Sequence, residues 1–409
     1  MNDATSLEGG SEAARRALPD FRDTEKTFLH LSDGELRWTG WLFALMGKPW
    51  LTGLLSRFGT WAVRWRLPGA AWGVRNTIYR QFVGGTSLEN ALGVIGRLHS
   101  RDVTSILDFG AEAKSEEADF LRFQNEVLAA IAFSNKEPAA NSVVVKVTGL
   151  APNDVLERWN DRSIDFERLG NDGLAAVLAR LDSICKAAAD TERVQVYIDA
   201  EESWFQETID RLADEMMGRY NRKRVVVLNT FQLYRHDRLE FLKSSHSRAQ
   251  AQGYLLGAKL VRGAYMAKEG QRADEQGYAT PIQPSLEATH GDYNAAVRYC
   301  LEHCSDIGVT IGSHNEESMR IAAELLDELE MPRNHAHVHF AQLLGMSDNL
   351  TFNLAAAGYN ASKYMVYGPV AEVLPYLVRR AQENSSVTGE MGRELRLIRD
   401  ERRRRRAEQ

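Results

Sequence analysis

Charged side chains follow several of the short apolar runs in this sequence. In the segment VVVKVT, Lys146 stands directly after three valines, a pattern typical of a strand that is buried on both faces. An unpaired ammonium is costly to bury, so Lys146 must lie near a carboxylate or an anionic ligand. The segment VQVYID places Asp199 at the end of another such run. If the two runs form neighbouring strands, Asp199 stabilises the ammonium, either in a binding site or in a purely structural ion pair.

Two adjacent arginines form a second group that could bind an anion. Arg379 and Arg380 lie in the segment PYLVRRAQEN, with Tyr376 at helical spacing before them. Adjacent residues on a helix project about 100° apart, so one arginine can face solvent while the other packs. If the helix instead crosses the site of Lys146, both guanidiniums can clamp a carboxylate or a phosphate.

The segment GAKLVRGAYM contains a third group. Lys259 and Arg262 supply positive charge, and Gly263 with the small Ala264 lets a flat ligand or a phosphate approach backbone amides. An arginine followed by a glycine is a weak signal by itself. Its position at the end of an apolar run favours a binding role.

Eight short apolar runs must position these side chains, and each is followed by a stretch of helical periodicity. The runs are VTSILDFGAEA, SVVVKVTGL, VQVYIDAEE, RVVVLNTFQ, LLGAKLVRGAY, GVTIGSHN, AHVHFAQLLG and SKYMVYGPV. The alternation predicts parallel strands with crossover helices, and eight such units in roughly 270 residues favour a closed (β/α)8 barrel over an open sheet. In such a barrel the C-terminal strand ends surround one mouth, where reactive groups collect.

Polar and charged residues come late in most of these runs, as the barrel hypothesis requires. They are Asp108, Glu112, Lys146, Asp199, Asn229, Lys259, Arg262, His314, Asn315, Gln342 and Tyr364. Lys146 is therefore expected to point into a shared polar pocket at the mouth of the barrel.

The overall composition is that of a globular protein, with 44% apolar and 26% charged residues. A net charge of −6 argues against a nucleic-acid partner that would need a basic surface. Three cysteines, Cys185, Cys300 and Cys304, cannot form a disulfide framework, which favours a reducing compartment. No signal peptide is visible, and the apolar run WLFALM is too short to span a bilayer.

Residues 36–83 differ from the rest of the chain, and we call them the Trp/Arg-rich segment. They contain seven Lys/Arg, no Asp or Glu, and six of the eight tryptophans. Such a composition suits peripheral contact with an anionic membrane surface, and a helical layer that caps the barrel is the alternative. The tail RDERRRRRAEQ is a second basic stretch, usually a solvated end, that could touch lipid or nucleic acid.

The histidines support a competing hypothesis. His335, His337 and His339 alternate along one strand, and together with His314 they could ligate a metal in a hydrolase barrel. Three ligands on one strand face are spaced too widely for one ion, so no metal site is predicted. A third hypothesis is a barrel without catalytic function that has become an adaptor for membrane or nucleic acid.

The motifs VKVTGL, YIDAEES, NTFQLY, KLVRGAY, SHN, QLLGM and PYLVRRAQENSS, taken in order, resemble the proline dehydrogenase family, in its mitochondrial-type single-function branch. The resemblance extends from about residue 81 to residue 397. It implies a distorted (β/α)8 TIM barrel with an N-terminal helical region and a final helix over the barrel mouth. It also implies FAD as cofactor, oxidation of L-proline to Δ1-pyrroline-5-carboxylate, and transfer of the electrons to a membrane quinone.

The resemblance assigns roles to individual residues. It makes Asp199 and Lys259 catalytic, and Asn229 is taken as the counterpart of a glutamine in many bacterial members. The substrate would contact Lys146, Tyr364, Tyr376, Arg379 and Arg380. The cofactor would contact Ala200, Asn229, Arg262, Gly263, Ala264, Tyr265, Ser313 and His314.

These inferences predict four regions along the chain. Residues 1–34 are expected to be a flexible N-terminus, 35–100 helical and rich in Trp and Arg, 101–398 the catalytic barrel, and 399–409 a basic tail. The expected location is cytoplasmic and peripheral to the inner membrane face, or the matrix side of the mitochondrial inner membrane if the host is eukaryotic. A homo-oligomer is compatible with the sequence.

Overall fold

The protein forms a closed barrel of eight parallel strands. The computed structural model describes residues 17–48, 65, 67, 69–110, 116–170, 173–386 and 390–408, with side chains except over 382–391. The strands follow one another around the barrel in sequence order, and each coincides with one of the eight apolar runs. They are β1 (Val103–Phe109), β2 (Ala140–Val145), β3 (Gln195–Ile198), β4 (Val227–Gln232), β5 (Leu256–Val261), β6 (Ile307–Gly312), β7 (Val338–Leu343) and β8 (Ala361–Tyr367). The predicted (β/α)8 barrel is confirmed.

The barrel closes where the first strand meets the last. β1 pairs with β8 from Val103 opposite Ala361 to Phe109 opposite Tyr367, without a shift of register. Between β1 and β2 the register shifts after Ser105, which is a local irregularity of the sheet. The continuous pairing satisfies the backbone groups at both sheet edges, so no open edge is left.

Helices surround the barrel and extend it at both ends of the chain. In the N-terminal part they are Thr24–Phe28, Asp33–Met46, Ala70–Val74, Arg75–Tyr79 (a π-helical turn), Arg80–Phe82 and Leu88–His99. Between the strands they are Glu117–Lys136, Val147–Gly149 (a 3-10 turn), Asn153–Asn160, Leu174–Ala189, Ser203–Tyr220, Arg238–Gln252, Met266–Gln276, Leu286–Glu302, Glu316–Glu328 and Asp348–Ala356. After β8 come Val370–Ser386, here called the mouth helix, and Glu390–Ala407, here called the C-terminal helix.

The apolar core has two layers that hold the strand ends in place. Strands and surrounding helices share one large buried cluster, whereas the barrel interior is filled by a small set that includes Ile106, Val144 and Leu228. Inside the barrel the hydroxyl of Tyr197 lies 2.9 Å from that of Thr310, so a polar pair is satisfied within the interior. Side chains thus fill the barrel below its mouth.

A further cluster joins the two ends of the chain to the barrel mouth. Leu36 and Phe43 of the N-terminal helices pack with Leu377 of the mouth helix and Ile398 of the C-terminal helix. The helix Asp33–Met46 begins with a capping box, in which Ser32 and Glu35 each satisfy the other's backbone N–H. The final helix predicted over the barrel mouth corresponds to the mouth helix. It is not the last helix, because the C-terminal helix follows it.

The predicted regions at the chain ends contain more packed structure than the sequence suggested. Residues 1–16 of the expected flexible N-terminus and residues 49–64 of the Trp/Arg-rich segment lie outside the described residues. In the described part of the N-terminus, Phe21 and Phe28 are buried, so residues 17–34 are not a loose extension. The basic tail continues the C-terminal helix, where Glu401 is fully buried and pairs with Arg404 and Arg405. Its positive charge is therefore partly neutralised within the fold.

Among the residues that the structure describes, none of the helices has both the length and the apolar character needed to cross a lipid bilayer.

Candidate active site

A cavity of about 620 Å³ opens among the C-terminal ends of the strands. Residues from most of the strand ends and from the mouth helix line it, which is the usual place for a binding site in this type of barrel. The predicted residues that line the cavity are Lys146, Asp199, Ala200, Lys259, Arg262, Gly263, Ala264, Tyr265, Ser313, His314, Tyr364, Tyr376, Arg379 and Arg380. The fold therefore brings together side chains that lie far apart in the sequence.

The ammonium of Lys146 lies between two carboxylates. Its Nζ is 2.8 Å from both oxygens of Asp108 and 3.2 Å from Oδ2 of Asp199. Asp199 is thus a partner of Lys146, as expected from the sequence, but Asp108 is the closer one. Asp108 had been recognised only as a polar residue at a strand end, and its pairing follows from the position of β1 beside β2.

Asp199 also holds two other side chains of the cavity. Lys259 donates a hydrogen bond to Oδ1 of Asp199, and the hydroxyl of Tyr364 donates to Oδ2 at 2.8 Å. The Lys259 ammonium lies 5.1 Å from the centre of the Tyr364 ring. Asp199 therefore fixes a cation and an aromatic wall relative to each other.

The two carboxylates have opposite pKa shifts because their surroundings differ. Burial by itself would raise the pKa of Asp199, but the attraction of Lys259 and Lys146 outweighs it and lowers the pKa to about 2. Burial raises the pKa of Asp108 above its usual value, and the attraction of Lys146 only partly opposes this. Asp199 is thus the more strongly ionised carboxylate of the pair, and it is a weak base at neutral pH.

The mouth helix brings both predicted arginines to the cavity. Arg379 and Arg380 each line it, and Arg380 is buried, with its guanidinium 5.3 Å from the centre of the Tyr376 ring. Lys146 lines the same cavity, so three cationic side chains from distant parts of the chain meet around one space. Glu383, which the sequence places near this group, lies outside the described side chains.

The guanidinium of Arg262 is held rigidly in the cavity wall by a network of neutral partners. Its Nε donates to Nδ1 of His290 at 2.9 Å, Nη1 to Oγ of Ser313 at 2.6 Å and Nη2 to Oγ of Ser318 at 2.8 Å. None of these partners carries a negative charge. These three contacts orient the guanidinium in the cavity wall, where its positive charge attracts an anionic ligand.

Gly263 supplies a backbone turn that no other residue could adopt at this position. Its φ is +137°, and a Cβ there would lie 2.4 Å from the ring of Tyr234. The residue can therefore only be glycine, for both conformational and steric reasons. The turn brings the backbone of Arg262 and Ala264 to the cavity wall, as the motif predicted.

His314 is a half-buried, neutral imidazole beside these groups. Burial, together with the nearby charges of Lys363 and Arg380, lowers its pKa to about 3. Its Nδ1 lies 2.9 Å from Oγ of Ser347, so one ring nitrogen is engaged by the protein. A neutral ring carries one donor and one acceptor nitrogen, so His314 offers directional hydrogen bonding without charge.

Asn229 is the one predicted cofactor residue that does not line the cavity. It is fully buried, and its amide donates to Oδ1 of Asp210 at 2.8 Å, on the helix side of β4. Gln232, three residues further on, lines the cavity instead. Side chains alternate along a strand, and Gln232 is the last residue of β4, so strand position and parity were the signals that would have selected it.

The histidines proposed for a metal site are separated along the barrel. His335 and His337 precede β7, whereas His314 follows the C-terminal end of β6. A strand of six residues spans about 20 Å, so these side chains lie at opposite ends of the barrel. Within the described ranges, no group of three or more His, Cys, Asp or Glu side chains is arranged to hold a metal ion.

A closed barrel with a charged cavity at the C-terminal strand ends has the form of a barrel enzyme. A family model described as proline dehydrogenase matches residues 91–393, and the chain belongs to the proline dehydrogenase family. The mitochondrial proline dehydrogenase 1 of Drosophila melanogaster is 43% identical over 239 residues, which cover 56% of this chain and 35% of that protein. That of Arabidopsis thaliana is 30% identical over 402 residues, covering 86% and 80%.

A solved structure shares the fold. The crystal structure of proline utilization A from Bdellovibrio bacteriovorus, inactivated by N-propargylglycine, superposes with a TM-score of 0.70. Its sequence identity is 21%, and the alignment covers 91% of this chain and 37% of that chain. The barrel and its flanking helices are thus an arrangement known from experiment, whereas the present chain corresponds to little more than a third of that larger protein.

The charge balance around Asp199 can be tested by a double-mutant cycle. We expect Asp199→Asn to lower the free energy of unfolding by about 3 kcal/mol, because Lys259 and Lys146 would then share one remaining carboxylate. Adding Lys259→Met should recover part of this loss. Urea denaturation at pH 7 measures both changes, and a strictly additive cycle would contradict the ion-pair interpretation.

Proposed function

We propose that this protein oxidises L-proline to Δ1-pyrroline-5-carboxylate, the first step of proline catabolism, with FAD as cofactor and a membrane quinone as electron acceptor. The observation that carries the proposal is the meeting of Lys146, Arg379 and Arg380 in one cavity beside the Asp199–Lys259 pair. Membership of the proline dehydrogenase family supports the choice of substrate.

The cavity fits FAD in its size and its chemistry. Its volume of about 620 Å³ lies within the range of roughly 300–1,000 Å³ typical of ligand sites. The charge of Arg262 suits a diphosphate, and the backbone at Gly263 allows a close approach. When bound, FAD supplies the hydride acceptor that no amino-acid side chain provides. The residues that would hold it are Gln232 with Ala200, Arg262, Gly263, Ala264, Tyr265, Ser313 and His314.

The substrate would be held by its carboxylate. Lys146, Arg379 and Arg380 offer three cationic donors, and hydrogen bonds to charged groups are the stronger kind. When both oxygens of the carboxylate accept hydrogen bonds from these donors, the carboxylate has few possible orientations. The pyrrolidine ring attached to it then points in one direction in the cavity. Fixing the reacting carbon in this manner lowers the entropic part of the barrier. Tyr364 and Tyr376 supply aromatic walls for the apolar ring.

The charges also favour the reactive form of the substrate. Oxidation of the amine requires a nitrogen lone pair, so the ring nitrogen of proline must lose a proton first. Lys146, Lys259 and the two arginines line the cavity, and nearby positive charge lowers the pKa of a bound ammonium. Asp199, with its pKa of about 2, holds Lys259 and Tyr364 in position and does not serve as the proton acceptor.

The proposed location is a membrane surface, reached through the Trp/Arg-rich segment. Trp41 is 54% exposed and Trp72 is 72% exposed, while Arg37 and Arg75 lie nearby in the sequence and are also exposed. Exposed tryptophans with cations and no acids suit the headgroup region of an anionic bilayer. The matched relatives are named as mitochondrial, so in a eukaryotic host the surface would be the matrix side of the inner membrane.

The function is tested by the colour of the purified protein. We expect a yellow preparation whose flavin absorbance is bleached anaerobically by L-proline. Trans-4-hydroxy-L-proline should bleach it only weakly, because the ring of Tyr364 lines the cavity and would leave less room for an added hydroxyl. Anaerobic spectrophotometry with proline, hydroxyproline and buffer alone gives the comparison. A colourless preparation that contains zinc would favour the hydrolase, and one free of flavin and metal would favour the adaptor.

Arg380→Met tests the carboxylate clamp. We expect the KM for proline to rise roughly tenfold to one hundredfold, because a hydrogen bond to a charged group contributes about 1.5–3 kcal/mol. The flavin content should stay at the wild-type level. Steady-state kinetics with a soluble electron acceptor measures the change, and Arg399→Met, on the exposed surface of the C-terminal helix, is the matched control. Unchanged kinetics would remove Arg380 from the proposed clamp.

Two exposed tryptophans provide the test of membrane binding. Deleting the whole segment would disrupt the cluster around Leu36 and Phe43, so we choose Trp41→Ser combined with Trp72→Ser. We expect weaker sedimentation with anionic liposomes and unchanged turnover with a soluble acceptor. Tyr278→Ser removes an exposed aromatic side chain elsewhere on the surface and serves as the control. Equal sedimentation of all three proteins would refute the interfacial role.

A further inference from the structure

The first turns of the C-terminal helix reach into the loops that form one wall of the cavity. Oε1 of Glu394 accepts a hydrogen bond from the backbone N–H of Ser347 at 2.7 Å. The neighbouring Arg393 donates to the backbone carbonyl of His314 at 3.2 Å and pairs with Glu316 at 3.2 Å. Two consecutive side chains of one helix thus bind the loop after β6 and the loop after β7.

Ser347 has an unfavourable backbone conformation that needs support. Its φ is 49°, in the left-handed region, which costs a residue with a side chain of the order of 1 kcal/mol or more. Of the three described non-glycine residues with positive φ, Ser347 is the one whose side chain contacts a residue of the cavity wall. The charge-assisted bond from its N–H to Glu394 helps to hold this conformation.

The strained conformation aims the Ser347 hydroxyl at His314. Oγ of Ser347 lies 2.9 Å from Nδ1 of His314, and Arg393 holds the carbonyl of the same histidine. His314 is therefore fixed at its ring and at its backbone by contacts that lead back to the C-terminal helix. The Ser347 hydroxyl can donate to this ring nitrogen or accept from it, so the contact fixes the orientation of the imidazole.

The burial of Glu394 and its charged neighbours indicate a more specific role than the filling of space. Glu394 is buried, with Asp348, Lys363 and Arg393 as its charged neighbours, and burial raises its pKa to about 7. If this position of the helix served only to fill space, an apolar side chain of similar size would be sufficient. A buried carboxyl directed at the N–H of one strained residue indicates that this residue must keep its geometry.

A second buried glutamate on the same helix provides the contrast. The side chain of Glu401 is fully buried and binds Arg404 at 2.9 Å and Arg405 at 2.7 Å. Arg405 in turn donates to the carbonyls of Phe28 and Leu31. Glu401 thus anchors the far end of the helix to the N-terminal segment, and none of these contacts involves the cavity loops.

We propose that Glu394 and Arg393 are positioning residues for the cofactor. Glu394 acts through Ser347 and Arg393 through the backbone carbonyl of His314, so together they orient His314 and determine how tightly FAD is held. The inference rests on the proposed function, since it takes FAD as the ligand of this cavity. The proposal gives Arg393 and Glu394 of the C-terminal helix an indirect role in the site, because they act on the cofactor through His314.

The test compares FAD binding and stability in matched variants of the full chain. Apoprotein is titrated with FAD at pH 8, where a carboxyl of pKa about 7 is ionised, and the Kd is measured by ultrafiltration. We expect Glu394→Ala to raise the Kd roughly tenfold, as loss of one charge-assisted hydrogen bond predicts. Glu394→Gln, which keeps a neutral acceptor, should lie between wild type and Glu394→Ala. Glu401→Gln should lower the Tm of the apoprotein while changing the Kd less than twofold.

Ser347→Ala gives an independent measurement if Glu394→Ala folds poorly. It removes the hydroxyl that contacts His314 and leaves the bond from the backbone N–H to Glu394 intact, so we expect a raised Kd with little change in Tm. Wild-type affinity in both Glu394→Ala and Ser347→Ala would overturn the inference while the proposed function stands. Failure of the wild-type apoprotein to bind FAD at all would overturn the proposed function together with it.

Discussion

The site depends on the neutralisation of buried ammonium groups at the barrel mouth. Asp108 and Asp199, at the ends of the strands on either side of β2, neutralise Lys146, and Asp199 also accepts a hydrogen bond from Lys259 of β5, two strands away. A buried cation without such partners would be too costly to keep. Arg379 and Arg380 line the same cavity and add positive charge there, which favours an anionic substrate.

The barrel makes this charge arrangement possible through its topology. Parallel strands in sequence order bring their C-terminal ends to one mouth, so residues at the ends of separate strands contribute to a single cavity. Rigid packing below the mouth then keeps the loops from relaxing away from one another. The mouth helix adds Arg379 and Arg380 from outside the barrel, which closes the cavity over the space that the strand ends leave open.

The two ends of the chain also support the site. The N-terminal helices and the C-terminal helix share a buried cluster with the mouth helix. Arg405 joins the two chain ends, because it pairs with Asp33 and donates to the carbonyl of Leu31. Through Arg393 and Glu394 this outer layer contacts the loops beside His314. A layer that appears as an appendage in the sequence therefore supports one wall of the site.

The sequence by itself determined the barrel, since apolar runs of strand length alternate with helical periods, and its motifs, together with the family resemblance, identified about half of the described residues that line the cavity. It did not identify Asp108 as a partner of Lys146 or exclude Asn229, because pairing between strands and the direction of a side chain depend on register. It also gave no sign that Arg405 of the basic tail would pair with Asp33 near the N-terminus or that Glu394 would reach Ser347. Only the tertiary structure decided these contacts, because they join residues that are distant in the chain and no local pattern encodes which buried charges will meet.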